Sequence, residues 1–155
     1  MLPKNLLCFS PIRWDYIMHR PQQLLMRFAE GANVYFFEEP LFDAIGDPYL
    51  TYGTLSETLW KIVPHLAANS TSWQVTSCLT ALLDGFLENA NLDRWAFWYY
   101  STIPLPFTEK YIPRLIIFDQ LEEQESLSGW DSIFLSVHQQ IINRLPEADV
   151  IAILP

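Results

Sequence analysis

Between Ser10 and Gln22 the chain places Arg13, Trp14, Asp15, His19 and Arg20 close together and uses no glycine. Two guanidinium forks in such a loop could grip a carboxylate or phosphate through paired N–H donors, or could close salt bridges to Asp15, Glu38 or Glu39 instead. The missing glycine excludes two common phosphate sites. A dinucleotide fingerprint needs glycines so that the backbone can approach the pyrophosphate, and a P-loop needs Gly-Lys-Ser/Thr. Side chains must then hold whatever binds there.

Four further groups of residues have the chemistry for a site. Glu38 and Glu39, followed by Pro40, could bind sugar hydroxyls or act as counter-ions for the arginines. His65, after Pro64, could serve as a general base near neutral pH or simply be solvated. Trp98, Tyr99 and Tyr100 are consecutive, so alternation along a strand should turn at least one ring away from the core, where it could stack on a sugar. Asp119, Glu122, Glu123 and Glu125 crowd one stretch, which could supply a base, hold a divalent cation or be a solvated loop. Asp119 is the strongest catalytic candidate of these, His65 the second. His138 sits in a helical pattern beside two glutamines and carries less.

These residues fall between short apolar runs. Leu6 to Phe9, closed by Ser10-Pro11, reads as a strand buried on both faces, and Val34 to Phe37 as a second. Pro21 opens a helix whose face carries Leu24, Leu25, Phe28 and Ala29 and which stops at Gly31. Tyr49 to Tyr52 and Thr58 to Val63 are expected to pair as a hairpin around Gly53, only the second being a core strand. A helix is expected from Ser72 to Glu88, a strand from Trp95 to Tyr100, a short Pro-bounded helix, and a strand from Leu115 to Phe118. An amphipathic helix from Trp130 or Asp131 to Leu145 and a strand from Val150 to Leu154 complete the pattern. Strands alternating with helices predict an α/β fold: a doubly wound, mainly parallel Rossmann-like sheet with helices on both faces. Ligands of such sheets bind beyond the carboxyl ends of the strands, which is where the residues named above fall.

Composition narrows the function classes. Half of the 155 residues are hydrophobic, 15% are aromatic and 17% are charged, which leaves apolar surface for a partner domain or self-association. A net charge of −9 disfavours nucleic acid and anionic membrane surfaces. No apolar run reaches the roughly 20 residues of a membrane span, and the N-terminus lacks the form of a signal peptide. Cys8 and Cys78 belong to no Cys-x-x-Cys pair or Cys/His cluster, so they read as reduced core thiols of a cytoplasmic protein without a zinc site. No metal or cofactor is expected. The stop on a strand at Pro155 is expected to mark half of a larger catalytic unit.

Taken in order, Cys8-Phe9-Ser10, Arg13-Trp14-Asp15, Arg20-Pro21-Gln22, Phe37-Glu38-Glu39-Pro40, Pro64-His65, Trp98-Tyr99-Tyr100 and Asp119 resemble the N-terminal half of bacterial group 1 glycosyltransferases. The resemblance implies the two-domain GT-B architecture. It makes residues 1–155 a single acceptor-side domain, with the nucleotide-sugar donor bound by a C-terminal Rossmann domain absent from this chain. Some relatives are encoded with or fused to UDP-galactopyranose mutase, which implies a role in cell-surface polysaccharide. The chain departs from the family after the Leu115 to Phe118 strand, where relatives carry an Asp-x-Met-Asp-Glu-Leu-like stretch and this sequence has Asp119-Gln120-Leu121-Glu122-Glu123-Gln124.

The leading expectation is an acceptor-side domain that helps move a sugar from a nucleotide donor to a glycan or other hydroxyl and is inactive alone. Asp119 and His65 are its catalytic candidates. Arg13, Trp14, Asp15, Arg20, Glu38, Glu39 and Tyr99 are its substrate-binding candidates. The alternative is a non-enzymatic carbohydrate-binding or partner-docking module derived from such an enzyme. A phosphate-accepting receiver domain is disfavoured, because Lys4, Lys61 and Lys110 do not occupy the strand end that such a domain needs.

Overall fold

A computed structural model describes residues 3–16, 20–101, 103–119 and 149–153. The helix expected from 130 or 131 to 145, the acidic residues 122–125, His19, His138, Leu154 and the Arg20 side chain lie outside the described residues. The strands are β1 (Asn5–Phe9), β2 (Asn33–Phe37), β3 (Leu41–Ala44), β4 (Tyr49–Ser56), β5 (Leu59–Ala67), β6 (Trp95–Tyr99), β7 (Leu115–Asp119) and β8 (Asp149–Ile153). The α-helices are α1 (Arg20–Phe28), α2 (Ser72–Phe86) and α3 (Leu105–Thr108). They build an 8-stranded sheet in the order β3-β5-β2-β1-β6-β7-β8, with β4 also paired to β5.

Every pairing is parallel except β4 with β5. The chain moves outward from β1 through β2 to β5, then returns to lay β6 against the other side of β1. The strand order therefore reverses at β1 and β6, and a crevice opens where the chain leaves in opposite directions.

Strands without polar alternation need apolar cover on both faces, and they have it. On one face α2 packs Leu79 and Leu83 against Leu7, Phe9, Ile62, Phe97 and Phe118. On the other, α1 packs Leu25 and Leu24 against Leu6, Cys8, Phe36 and Trp98. This is the doubly wound, mainly parallel α/β sheet with helices on both faces that the sequence pattern predicts. Thr71 starts α2 with a reciprocal capping box: its hydroxyl accepts from the Gln74 N–H, and the Gln74 side chain accepts from the Thr71 N–H.

One local expectation is corrected and one element is added. Glu57 and Thr58, not Gly53, make the turn between β4 and β5, and Gly53 lies within β4 opposite Lys61. A Cβ at Gly53 would stand 3.0 Å from both Cγ and Cε of Lys61, so glycine is there to let the lysine stem cross the strand. The strand β3 (Leu41–Ala44) is an element the sequence pattern does not show. It pairs with His65 to Ala67 of β5, whereas β2 pairs with Leu59 to Ile62. The opposite edge of β5 is taken by β4 from Leu59 to His65, so β2 and β3 follow one another along a single edge. Glu38, Glu39 and Pro40 form the break between them.

Leu83 is fully buried between α2 and the sheet. Leu83→Ala is expected to cost about 2–5 kcal/mol in urea unfolding, through lost burial and the cavity left behind.

Candidate functional site

At the carboxyl ends of β1, β2 and β6 a cavity of about 280 Å³ opens at the reversal of strand order. Phe9 and Ser10 come from the end of β1, Phe37 to Pro40 from the β2–β3 break, and Ser101 from the end of β6. Val75 and Leu79 of α2 form one wall, and Ile103, Pro104 and Phe107 around α3 form another. Phe42 of β3 closes the outer side.

The break that lets this cavity exist is held by one buried carboxylate. Glu38 is 3% exposed, accepts from Arg13 Nη1 at 3.2 Å and from the Trp14 backbone N–H at 2.7 Å. The Arg13 guanidinium also donates to the carbonyls of Glu39 at 3.1 Å and Pro40 at 3.5 Å. The arginine fork is thus filled by the chain itself. Of the two readings the sequence left open for Arg13, the geometry gives the salt bridge. Trp14 is buried, its ring edge-on to Phe36 at 5.2 Å. Asp15 is exposed and pairs with Lys61 at 3.3 Å.

The α3 wall is fixed from below. Tyr99, 2% exposed, donates to Thr108 Oγ1 at 2.9 Å, and Thr108 donates to the Pro104 carbonyl at 2.9 Å. Burial pushes the Tyr99 phenol well above its ordinary range, with the Thr108 bond opposing, so it stays neutral. Tyr99 stacks between Phe9 and Phe118 with ring centroids at 5.1 Å from each. It therefore has no face to offer a sugar. The expectation that one of three consecutive aromatics must reach the surface fails because the sheet has a core on each side: Tyr99 enters one and Trp98 and Tyr100 the other. Asp84 braces the two walls, accepting from Lys110 Nζ at 2.7 Å and from the Tyr111 hydroxyl. Those two bonds hold its carboxyl below the ordinary value.

Neither catalytic candidate lines the cavity. Asp119 ends β7 fully buried, and its charge, together with burial as the larger cause, pushes the Cys8 thiol up, against a hydrogen bond from Tyr100 that lowers it. Such a thiol is inert rather than nucleophilic. His65 lies within β5, not at its end, and shares the opposite sheet face with Asp43, Thr51 and Tyr49. Its Nδ1 is 2.7 Å from Asp43 Oδ1, its Nε2 is 2.9 Å from Thr51 Oγ1, and its ring stacks on Tyr49 at 4.5 Å. Both ring nitrogens are thereby engaged, tying β3 and β4 to β5.

Among the sequence candidates, Glu38 and Glu39 are brought to the cavity, and Arg13 and Trp14 support it from behind. Glu39 is exposed and its carboxylate has no partner among the described residues. The cavity residues that sequence reasoning missed are mostly apolar, and their only signal is position just after a strand, as for Ser10 and Ser101. Among the described residues no cluster of His, Cys, Asp or Glu is placed to hold a metal ion. No described helix is long and apolar enough to cross a membrane.

Glu38→Ala is expected to lower stability by about 3 kcal/mol in denaturant unfolding, because it strands the Arg13 charge and a buried N–H. The Asp84 brace is expected to fade in acid. Its folded pKa is depressed, so its contribution is present above the unfolded value and lost as pH falls through the folded one. Because the pair is about half exposed, the difference between the chain and Asp84→Asn should be below about 1 kcal/mol at pH 7 and should shrink as the pH falls below the ordinary carboxylate range.

No protein-family model matches the chain, and no curated protein matches it. Among solved structures it is similar to a trehalose-6-phosphate synthase from E. coli bound with UDP-2-fluoro glucose, with TM-score 0.53 and 13% identity over 95% of this chain. An α,α-trehalose-phosphate synthase (UDP-forming) from Burkholderia xenovorans in complex with glucose-6-phosphate also matches, with TM-score 0.49, 10% identity and 95% coverage of this chain. The chain spans 39% of the length of each. At 13% identity the likeness to the E. coli protein is one of fold: this chain is built like a domain-sized part of that protein.

Proposed function

We propose that the chain is the acceptor-side domain of a glycosyltransferase, which positions a hydroxyl of a glycan or other acceptor for a sugar carried by a nucleotide donor. The observation that carries this reading is the cavity at the reversal of strand order, on a fold shared with a sugar transferase. The Glu39 carboxylate, which has no partner among the described residues, suits hydroxyl recognition. Glu39 can accept hydrogen bonds from sugar hydroxyls at the mouth, and the aromatic walls can cover the apolar face of a ring.

The donor is assigned to a second domain for a physical reason. A nucleotide diphosphate needs backbone N–H groups or free cations, and the turn after β1 has no glycine while Arg13, the cation among its described side chains, is consumed by Glu38. In this reading residues 1–155 form one domain, Glu39 contacts acceptor, and Glu38, Arg13 and Tyr99 are positioning residues. A place in cell-surface polysaccharide assembly fits such an acceptor.

The purified chain is expected to release no UDP from UDP-glucose. In amide NMR titrations, simple glycosides should shift Glu39, Ser101 and Ile103, whereas UDP should leave them in place. Glu39→Gln should weaken glycoside binding about tenfold, the loss of a charge-assisted hydrogen bond. UDP release by the chain alone, or tight UDP binding in the cavity, would overturn the assignment. Glycoside binding that Glu39→Gln leaves untouched would point to a carbohydrate-binding module with its site elsewhere.

A further inference from the structure

We infer that the acceptor taken by this cavity carries an apolar alkyl or aryl moiety beside the hydroxyl that reacts. The inference rests on the acceptor-side reading and adds the chemical class of the acceptor. The inner wall is made by Phe37, Val75, Leu79 and Phe107, and the apolar surface continues outward over Phe42 and Ile103, which are 49% and 65% exposed. A purely polar glycan would meet little here that it could bond.

Most polar side-chain atoms in the lining are engaged within the chain. Ser10 Oγ donates to the Ile12 carbonyl and accepts from the Ile12 N–H, closing on its own loop. Ser101 Oγ accepts from the Ile103 N–H at 3.3 Å. Both oxygens of Glu38 are engaged by Arg13 and Trp14. Among the described residues this leaves the Glu39 carboxylate at the mouth and the Ser101 O–H as the polar side-chain groups of the lining open to a ligand. A sugar sunk into the cavity would lose its hydration with few replacement bonds, which is costly for most of its hydroxyls. An alkyl or aryl group loses nothing and gains burial. The size also fits, since an apolar cavity of ~150 Å³ is enough for benzene and this one has about 280 Å³. The occupant is thus an amphiphile, with its apolar part between α2 and α3 and its hydroxylated part at Glu39.

Binding of octyl β-glucoside, methyl β-glucoside and 1-octanol to the purified chain, measured by calorimetry below the micelle concentration, tests this. Burying only two methylenes corresponds to roughly tenfold in affinity, so octyl β-glucoside is expected to bind at least tenfold more tightly than the methyl compound. Val75→Trp, which fills the inner wall, and Phe42→Ser, which removes apolar surface from an exposed position, should each reduce that preference. Ile112→Ser, an exposed apolar residue away from the cavity, should not. The Phe42 change keeps the test open if the Val75 variant fails to fold. Equal affinity for the two glucosides would overturn this inference and leave the acceptor-side reading standing. Octanol binding as tightly as octyl β-glucoside would show the sugar contributing nothing and would overturn both. A preference that survives both cavity variants, or binding of none of the three, would also overturn the inference.

Discussion

The buried carboxylate of Glu38 decides the shape of the carboxyl end of this sheet. It sits where β2 would otherwise run on into β3, and its two oxygens take a guanidinium N–H and a backbone N–H from the loop after β1. A charge that is 3% exposed is tolerable only when so paired, and the same pairing anchors the loop after β1, whose described residues form a 3₁₀ turn at Trp14–Tyr16. The break at Glu38 to Pro40 turns Glu39 toward solvent and lets Phe42 come round the outside of the cavity. One ion pair therefore joins β1, β2 and β3 into a common rim.

The other side of the cavity depends on a different kind of anchoring. The four-residue helix α3 is too short to be stable by itself. It is held by the hydroxyl relay from Tyr99 through Thr108 to Pro104, and α2 is held to the segment beyond it by Asp84. The first connection is buried and the second is largely in solvent, so they differ in what they contribute. The relay fixes geometry in a place where a missing bond would leave a buried hydroxyl unsatisfied. The Asp84 brace adds little energy but limits how far the two walls can separate.

The catalytic candidates show that a correct element pattern does not fix which way a side chain faces. Asp119 and His65 lie at or near the carboxyl ends of β7 and β5, as a rule about strand ends requires. Yet strand parity sends Asp119 toward Cys8, and His65 toward Asp43 and Thr51 on the face away from the cavity. Position along a strand and direction across the sheet are separate facts. A histidine engaged through both nitrogens and stacked on Tyr49 serves to join strands.

The sequence by itself determined the class of this fold. Apolar runs such as Leu6 to Phe9 and Leu115 to Phe118 need cover on both faces, and the helical spacing of Leu79 and Leu83 supplies it, so local pattern and global architecture agree. The sequence also ruled out glycine-based phosphate binding and brought Glu38 and Glu39 to notice. Only the tertiary structure decided which of two uses Arg13 has, that β2 and β3 share one edge of β5, and that Tyr99 lies beneath the cavity rather than in it. Those outcomes depend on contacts between residues far apart in the chain, such as Arg13 with Glu38 and His65 with Asp43. Periodicity specifies which side of a strand a residue takes relative to its neighbours. It does not specify which core or cleft lies on that side.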